Sequence, residues 1–257
     1  MTSRELLLAQ EVTASRPGDD GVPERVLQKT TLGVASGEIL SVVGPSGSGK
    51  STLLRLFNRL LEPDSGQITL SGMDIRTFPP SVLRAQIPLV TQKPYLFAGT
   101  VKDNLLASAR LRRVAPPDLQ SPDIKKLTEM CRVEQSWLER DARKLSVGQQ
   151  QRICLMRALL GPCRALLLDE PTSALDRQTA AQMAQTFRLL ANEKDLAIIL
   201  VTHDLQIAEL CADRVALMVG GSVIETGPAA QVLHDPEVDA ARQFLLAEPA
   251  VNDDGAV

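Results

Sequence analysis

Nine consecutive residues, Gly44 to Thr52, hold the densest chemistry in this sequence: Gly-Pro-Ser-Gly-Ser-Gly-Lys-Ser-Thr. Gly44, four residues, then Gly49-Lys50-Ser51 is the spacing of a phosphate-cradling loop. A chain of phosphates needs many hydrogen-bond donors at short range. Gly44, Gly47 and Gly49 let the backbone turn tightly and come close without a Cβ in the way. Pro45, Ser46 and Ser48 fill the loop between them, and Thr52 follows it. The loop N–H groups and the positive end of a following helix face the anion. Lys50 brings a cation to the β- and γ-phosphates, and the Ser51 hydroxyl is placed to ligate Mg²⁺.

A second constellation stands further on. Ala165-Leu-Leu-Leu-Asp169-Glu170 is an apolar run ending in two carboxylates. An acid at the C-terminal edge of a strand, expected beside the phosphate-loop strand, suits a metal held through water, which is the role expected of Asp169. Glu170 is one residue further and points elsewhere, toward an attacking water. Leu145-Ser146-Val147-Gly148-Gln149-Gln150-Gln151-Arg152 opens a helical pattern with Ser146 as its N-cap. A helix start rich in Ser and Gly makes a second anion site.

These residues need elements to hold them. Ile39 to Val43 is a short β-branched run that reads as a buried strand leading into the loop. Leu53, Leu54, Leu56, Phe57, Leu60 and Leu61 fall at helical spacing after it, and Pro63 closes that helix. Leu6–Thr13 and Val26–Val34 read as strands around a Pro- and Gly-rich loop over 15–24, and Gln67–Ser71 as another. From 93 to 143 strand signals fade and helical patches appear at Val101–Leu111 and Ile124–Cys131. Arg164–Leu168 and Leu196–Val201 then read as buried strands. Between them, Asp176 caps a helix with Ala180, Met183, Phe187 and Leu190 on one face. Val215–Val219, Gly220-Gly221 and Ser222–Glu225 spell a hairpin.

Composition narrows the function. The chain has 257 residues, 44% of them hydrophobic and 23% charged, enough for one large α/β domain with a sizeable core. A net charge of −3 and 3% aromatics give neither the basic footprint nor the stacking platforms of a nucleic-acid binder. Cys131, Cys154, Cys163 and Cys211 form no CxxC pair and read as small buried hydrophobes in a reducing compartment. His203 and His234 are too scattered to build a zinc site. The N-terminus lacks the pattern of a signal peptide, and no run approaches a membrane span, so a membrane link is expected through a partner.

With the phosphate loop, LSVGQ and Asp-Glu-Pro in view, the chain resembles the ATPase subunit of ABC transporters essentially end to end. It departs from the family's LSGGQ by one residue. The resemblance implies a P-loop NTPase, RecA-like α/β core, with an antiparallel β portion and an inserted helical subdomain. The whole of 1–257 is then one ABC ATPase domain. Its core covers about 1–92 and 155–246, its helical subdomain about 93–154, and a polar tail 247–257.

Further roles follow from the resemblance alone. Gln92, in TQKPYLF, is the glutamine that touches Mg²⁺ and the attacking water and senses the transporter. His203, in VTHD, contacts the γ-phosphate. Ser173-Ala174-Leu175-Asp176 matches the loop that crosses to an opposite subunit. ATP with Mg²⁺ is the implied cofactor. Two subunits pair head to tail, so Ser146, Gly148 and Gln149 act on the partner's nucleotide. An integral membrane permease is the second partner, and the implied location is the cytoplasmic face of the membrane. Tyr95, Leu96 and Phe97 are candidates for the groove that receives a permease helix.

Two positions depart from the pattern. Val147 replaces the first signature glycine, where a helical φ suits Val and the N–H remains. No aromatic lies between Met1 and Lys50 to stack on adenine; Arg16 stands at the matching position and is expected to cover the base instead. The sequence after the glutamine loop resembles half-transporter subunits linked to iron export and aluminium tolerance, and the region after Ala212 resembles phosphate and polar amino-acid importers. A soluble ABC ATPase acting on DNA or ribosomes is the alternative. Only 92 residues separate Thr52 from Leu145, too few for a long coiled coil, and one such domain is present rather than two. A P-loop small-molecule kinase would leave LSVGQ and His203 unexplained.

Overall fold

The computed structural model describes residues 5–18 and 22–247. Its elements run in the order β1 (Leu7–Pro17), β2 (Pro23–Val34), β3 (Ile39–Val43), α1 (Lys50–Phe57), β4 (Ser65–Leu70), β5 (Met73–Asp74), α2 (Pro80–Gln86) and β6 (Leu89–Val90). Then come α3 (Val101–Arg112), α4 (Pro122–Met130), α5 (Val147–Leu159), β7 (Ala165–Asp169), α6 (Arg177–Lys194) and β8 (Ala197–Val201). The described chain closes with α7 (Leu205–Cys211), β9 (Arg214–Val219), β10 (Ser222–Pro228), α8 (Ala229–His234) and α9 (Asp239–Ala247). The expected polar tail lies outside the described residues except for Ala247.

Two sheets organise these elements. One is antiparallel, in the order β2-β1-β4-β5. The other has the order β10-β9-β3-β8-β7-β6, with β9, β3, β8, β7 and β6 parallel and β10 an antiparallel edge. The parallel strands β3, β7 and β8 are apolar apart from Ser41 and the terminal Asp169 because both faces are covered. Ile39, Leu166, Leu168, Ile198 and Leu200 join a core with α5, α6 and α7. Leu40, Val42, Leu167, Ile199 and Val201 join a second core with α1 and the antiparallel sheet. The alternation of the pleat thus splits each strand between two cores.

Some boundaries differ from the sequence reading. Strand β1 runs on to Pro17, and Ser15, Arg16 and Pro17 pair with Arg25, Glu24 and Pro23 of β2. Within the stretch read as a loop, 15–17 and 23–24 are therefore hairpin arms. Cross-strand pairing overrides the local turn chemistry, and both prolines sit at strand ends, where they are tolerated. Helix α1 stops at Phe57, with Asn58 as its C-cap and Arg59 left-handed at φ 54. Leu60 and Leu61, read as part of its apolar face, are therefore exposed. Helix α5 runs through the expected subdomain boundary at 154, because its apolar side is buried continuously from Ile153 to Met156. The four cysteines are free thiols, three buried and Cys163 half-buried. Burial pushes Cys131, Cys163 and Cys211 up to about 12, so they pack rather than react.

Candidate active site

The phosphate loop leaves the end of β3 and enters α1 at Lys50. Gly49 holds the N-cap position in a left-handed conformation, φ 99, and supplies no side-chain cap. The backbone donors at the start of α1 therefore meet no competing side chain from that position. Two of the glycines serve a purpose the sequence reading did not give them. A Cβ on Gly44 would collide with the Met218 carbonyl, and one on Gly49 would stand 2.7 Å from Leu27 and 2.9 Å from the Val26 oxygen. Both glycines let the loop lie flat on the protein. A Cβ on Gly47 would meet nothing within 4 Å, so its positive φ of 81 is the reason for glycine there.

Lys50 is buried, and its ammonium donates to the Gly44 and Pro45 carbonyls at 2.7 and 2.8 Å. Beside it the Ser51 hydroxyl donates to Asp169 Oδ1 at 2.8 Å, across 118 positions of sequence. Asp169 ends β7, which is not beside β3 as the sequence suggested: β8 lies between them, and the carboxylate still reaches α1. Desolvation raises its pKa above the usual carboxylate range, while the Ser51 hydroxyl and the Arg55 and Lys50 charges pull it back.

Immediately after Asp169 the chain kinks. Glu170 is left-handed, φ 47, with its N–H bonded to the Val201 carbonyl at 2.9 Å. A non-glycine residue held there costs about 1–3 kcal/mol. The kink takes Glu170 out of the strand's alternation and over the ends of the neighbouring strands. Gln92 follows β6, and its amide donates to Glu170 Oε2 at 3.2 Å and to Ser173 Oγ at 3.1 Å. His203 follows β8, with Nδ1 3.2 Å from the same Oε2. Ser173 in turn donates to the Glu170 carbonyl at 3.1 Å. Sequence reasoning placed Ser173 in a loop reaching another subunit and missed this second task, which its position three residues past Glu170 would have allowed.

Ser146, Gly148, Gln149 and Asp176 form a separate cluster around a cavity of about 340 Å³. Ser146 caps α5 reciprocally: it accepts from the Gln149 N–H at 3.3 Å, and Gln149 Oε1 accepts from the Ser146 N–H at 3.0 Å. Asp176 caps α6 by accepting from the Thr179 N–H at 2.9 Å. Gly148 is pinned: a Cβ there would stand 3.1 Å from Thr179 Cγ2. Val147, next to it, is exposed. Arg16, on the β1–β2 hairpin, is exposed and paired with Glu24 at 2.7 Å.

Of the three candidate groove residues, Tyr95 and Phe97 are exposed, while Leu96 is buried in the core and drops out. Tyr95 and Phe97 meet edge to face at 5.4 Å and line a cavity of about 440 Å³ with Leu111 and Arg112 of α3. Arg157 of α5 lies 5.5 Å over the Phe97 ring and donates to the Tyr95 backbone carbonyl at 2.8 Å, which ties this segment to α5.

Comparison with known proteins decides what this arrangement is. The family model described as ABC transporter matches residues 27–173. This chain belongs to the ABC transporter family. It is 38% identical over 226 residues to the putative ABC transporter ATP-binding protein YjkB of Bacillus subtilis (strain 168), covering 88% of each chain. Among solved structures it resembles the dimeric, post-hydrolysis ATP-binding cassette MJ0796 bound to ADP and Pi, at 26% identity and a TM-score of 0.74, over 87% of this chain and 98% of that one. It also resembles cbiO1 of Clostridium perfringens, part of the ABC transporter complex cbiONQ, at 27% identity and a TM-score of 0.77, over 95% and 96%. The chain is an ABC-type ATPase subunit, binding and hydrolysing ATP to drive transport through a membrane permease.

Proposed function

We propose that Glu170 is the general base of this ATPase, with Lys50 and His203 neutralising the γ-phosphate and Gln92 orienting the attacking water. The observation that carries this reading is the meeting of Gln92 and His203 on one oxygen of Glu170, beside the Ser51–Asp169 pair. A base needs partners that hold its carboxylate in one place, and phosphoryl transfer needs positioning more than covalent chemistry.

Ser51, Gln92 and Asp169 offer a hydroxyl, an amide oxygen and one carboxylate. That hard, oxygen-only and weakly charged donor set fits Mg²⁺, which keeps waters and takes the rest of its ligands from phosphates. Bound there, Mg²⁺ would neutralise charge developing on the phosphates.

The subunit works as one of a pair, most simply a homodimer, with Ser146, Gly148 and Gln149 of one copy closing on the nucleotide of the other and Asp176 beside them. Arg16 lies over the adenine after leaving Glu24. Tyr95 and Phe97 receive a permease helix, which places the subunit on the cytoplasmic face of the membrane. Among the described residues no helix is long and apolar enough to cross a membrane. Capture of tagged chain from detergent-solubilised membranes tests this partner. A co-purifying multi-span protein that is lost in Phe97→Glu supports the permease; ribosomes or DNA in its place would contradict it.

A further inference from the structure

The phosphate loop is propped from behind by residues far away in sequence. The Ser48 carbonyl accepts from the Gly221 N–H at 3.2 Å. Gly221 lies in the two-glycine turn between β9 and β10, and its own carbonyl accepts twice: from the Gln28 N–H at 2.8 Å and from Thr30 Oγ1 at 2.9 Å. The Gln28 side chain adds a bond to the Gly220 carbonyl at 3.1 Å. Thr30 is buried in β2, and its hydroxyl spends itself on this turn. The fit is close on every side. Gly221 has φ 82, and a Cβ on it would run into the Val26 carbonyl. A Cβ on Gly49 would meet Val26 and Leu27 of the same strand.

One peptide plane gives this strut a function. The Ser48 carbonyl and the Gly49 N–H belong to the same planar unit, and no described peptide bond is cis. In a trans peptide the two groups point in opposite directions. Holding the carbonyl toward the β9–β10 turn therefore aims the Gly49 N–H away from it, into the open side of the loop. We propose that Thr30 and Gly221 are positioning residues for the nucleotide phosphates: the line Thr30 Oγ1–Gly221–Ser48 fixes the plane of the Ser48–Gly49 peptide and so the aim of its donor. The proposal rests on Gly44–Thr52 being the phosphate site.

Calorimetry with ATP on the full chain tests it, beside steady-state ATPase assays. Thr30→Val keeps the shape of the side chain and removes the donor. Its Kd and KM for ATP rise about three- to tenfold, the range that one buried hydrogen bond carries. kcat at saturating ATP changes by less than about twofold, the pattern of lost ground-state binding. Thr30→Ser restores wild-type affinity. Gly221→Ala, which must move the turn, weakens ATP binding further. A purely structural role would lower the melting temperature of Thr30→Val and leave Kd unchanged, and that result overturns the proposal; so does a fall in kcat at constant Kd. Lys50→Ala is the control for the underlying reading: normal ATP affinity there would remove the phosphate site itself.

Discussion

Nδ1 of His203 lies 3.2 Å from Oε2 of Glu170, and the Gln92 amide reaches that same oxygen from the other side of β7 at 3.2 Å. Strand order explains the meeting. β7 runs between β6 and β8, so the residues leaving these three strands stand side by side. The left-handed turn at Glu170 then lifts its carboxylate over both neighbours. A carboxylate steered by two polar partners is held ready, which suits a base whose task is to take one proton from one water.

Asp169 carries a stability cost that its replacement should expose. Its raised pKa means that folding favours the neutral carboxyl. That contribution is complete below the ordinary carboxylate range and is lost as pH rises through the raised value. At neutral pH the ionised group therefore sits at a disadvantage, chiefly through desolvation. Asp169→Asn keeps an acceptor for the Ser51 hydroxyl and removes the charge. We expect the nucleotide-free variant to melt above wild type at pH 7–8. The gap should close as pH falls through the raised pKa of Asp169, where the aspartate takes up its proton. ATP hydrolysis should be lost. A variant that melts at or below wild type at neutral pH would contradict the desolvation account.

The two signature positions should respond differently. Val147 is exposed and offers its N–H like any residue, so Val147→Gly should leave ATPase activity within about tenfold, or ~1.4 kcal/mol of barrier. Gly148→Ala should cost more, because its Cβ would press on Thr179 at 3.1 Å and displace the start of α5. Steady-state ATPase assays on folded protein check both. A loss beyond a hundredfold in folded Val147→Gly would contradict this, showing that the valine side chain and not only its N–H is needed.

Much of the site was legible because it lies in local motifs. Gly44 to Thr52 announces strand, loop and helix within a few residues, and the caps at Ser146 and Asp176 are read from single residue types at helix starts. What stayed hidden needs tertiary contact. Nothing near Gly221 or Thr30 in the chain says that they face Ser48, and nothing near Gly44 says that the Met218 carbonyl packs against it. Leu60 and Leu61 continued the helical spacing, but the backbone had already turned at Arg59. Leu96 shares a tripeptide with two exposed aromatics, and only packing separates it from them.

Arg16 offers a direct test of adenine recognition without an aromatic. In this structure its guanidinium pairs with Glu24 in an exposed position, where such a pair is worth little and is readily exchanged. Arg16→Ala should weaken nucleotide binding by roughly 0.5–2 kcal/mol, and Arg16→Tyr should restore or improve it. Isothermal titration with ATP gives both numbers. Unchanged affinity in the alanine variant would rule out the stacking role.

The central claim is that Glu170 takes the proton from the attacking water in a site closed by two subunits. Glu170→Gln keeps the size of the side chain and removes the acceptor, while Lys50 and His203 remain. Losing one negative charge beside the triphosphate also favours the closed pair. The decisive measurement joins phosphate release to size-exclusion chromatography of isolated Glu170→Gln protein, with and without MgATP. The account predicts hydrolysis reduced by about 10²–10⁴-fold together with a dimer that appears only with MgATP. Phosphate release at the wild-type rate, or a protein that stays monomeric at saturating MgATP, would contradict it.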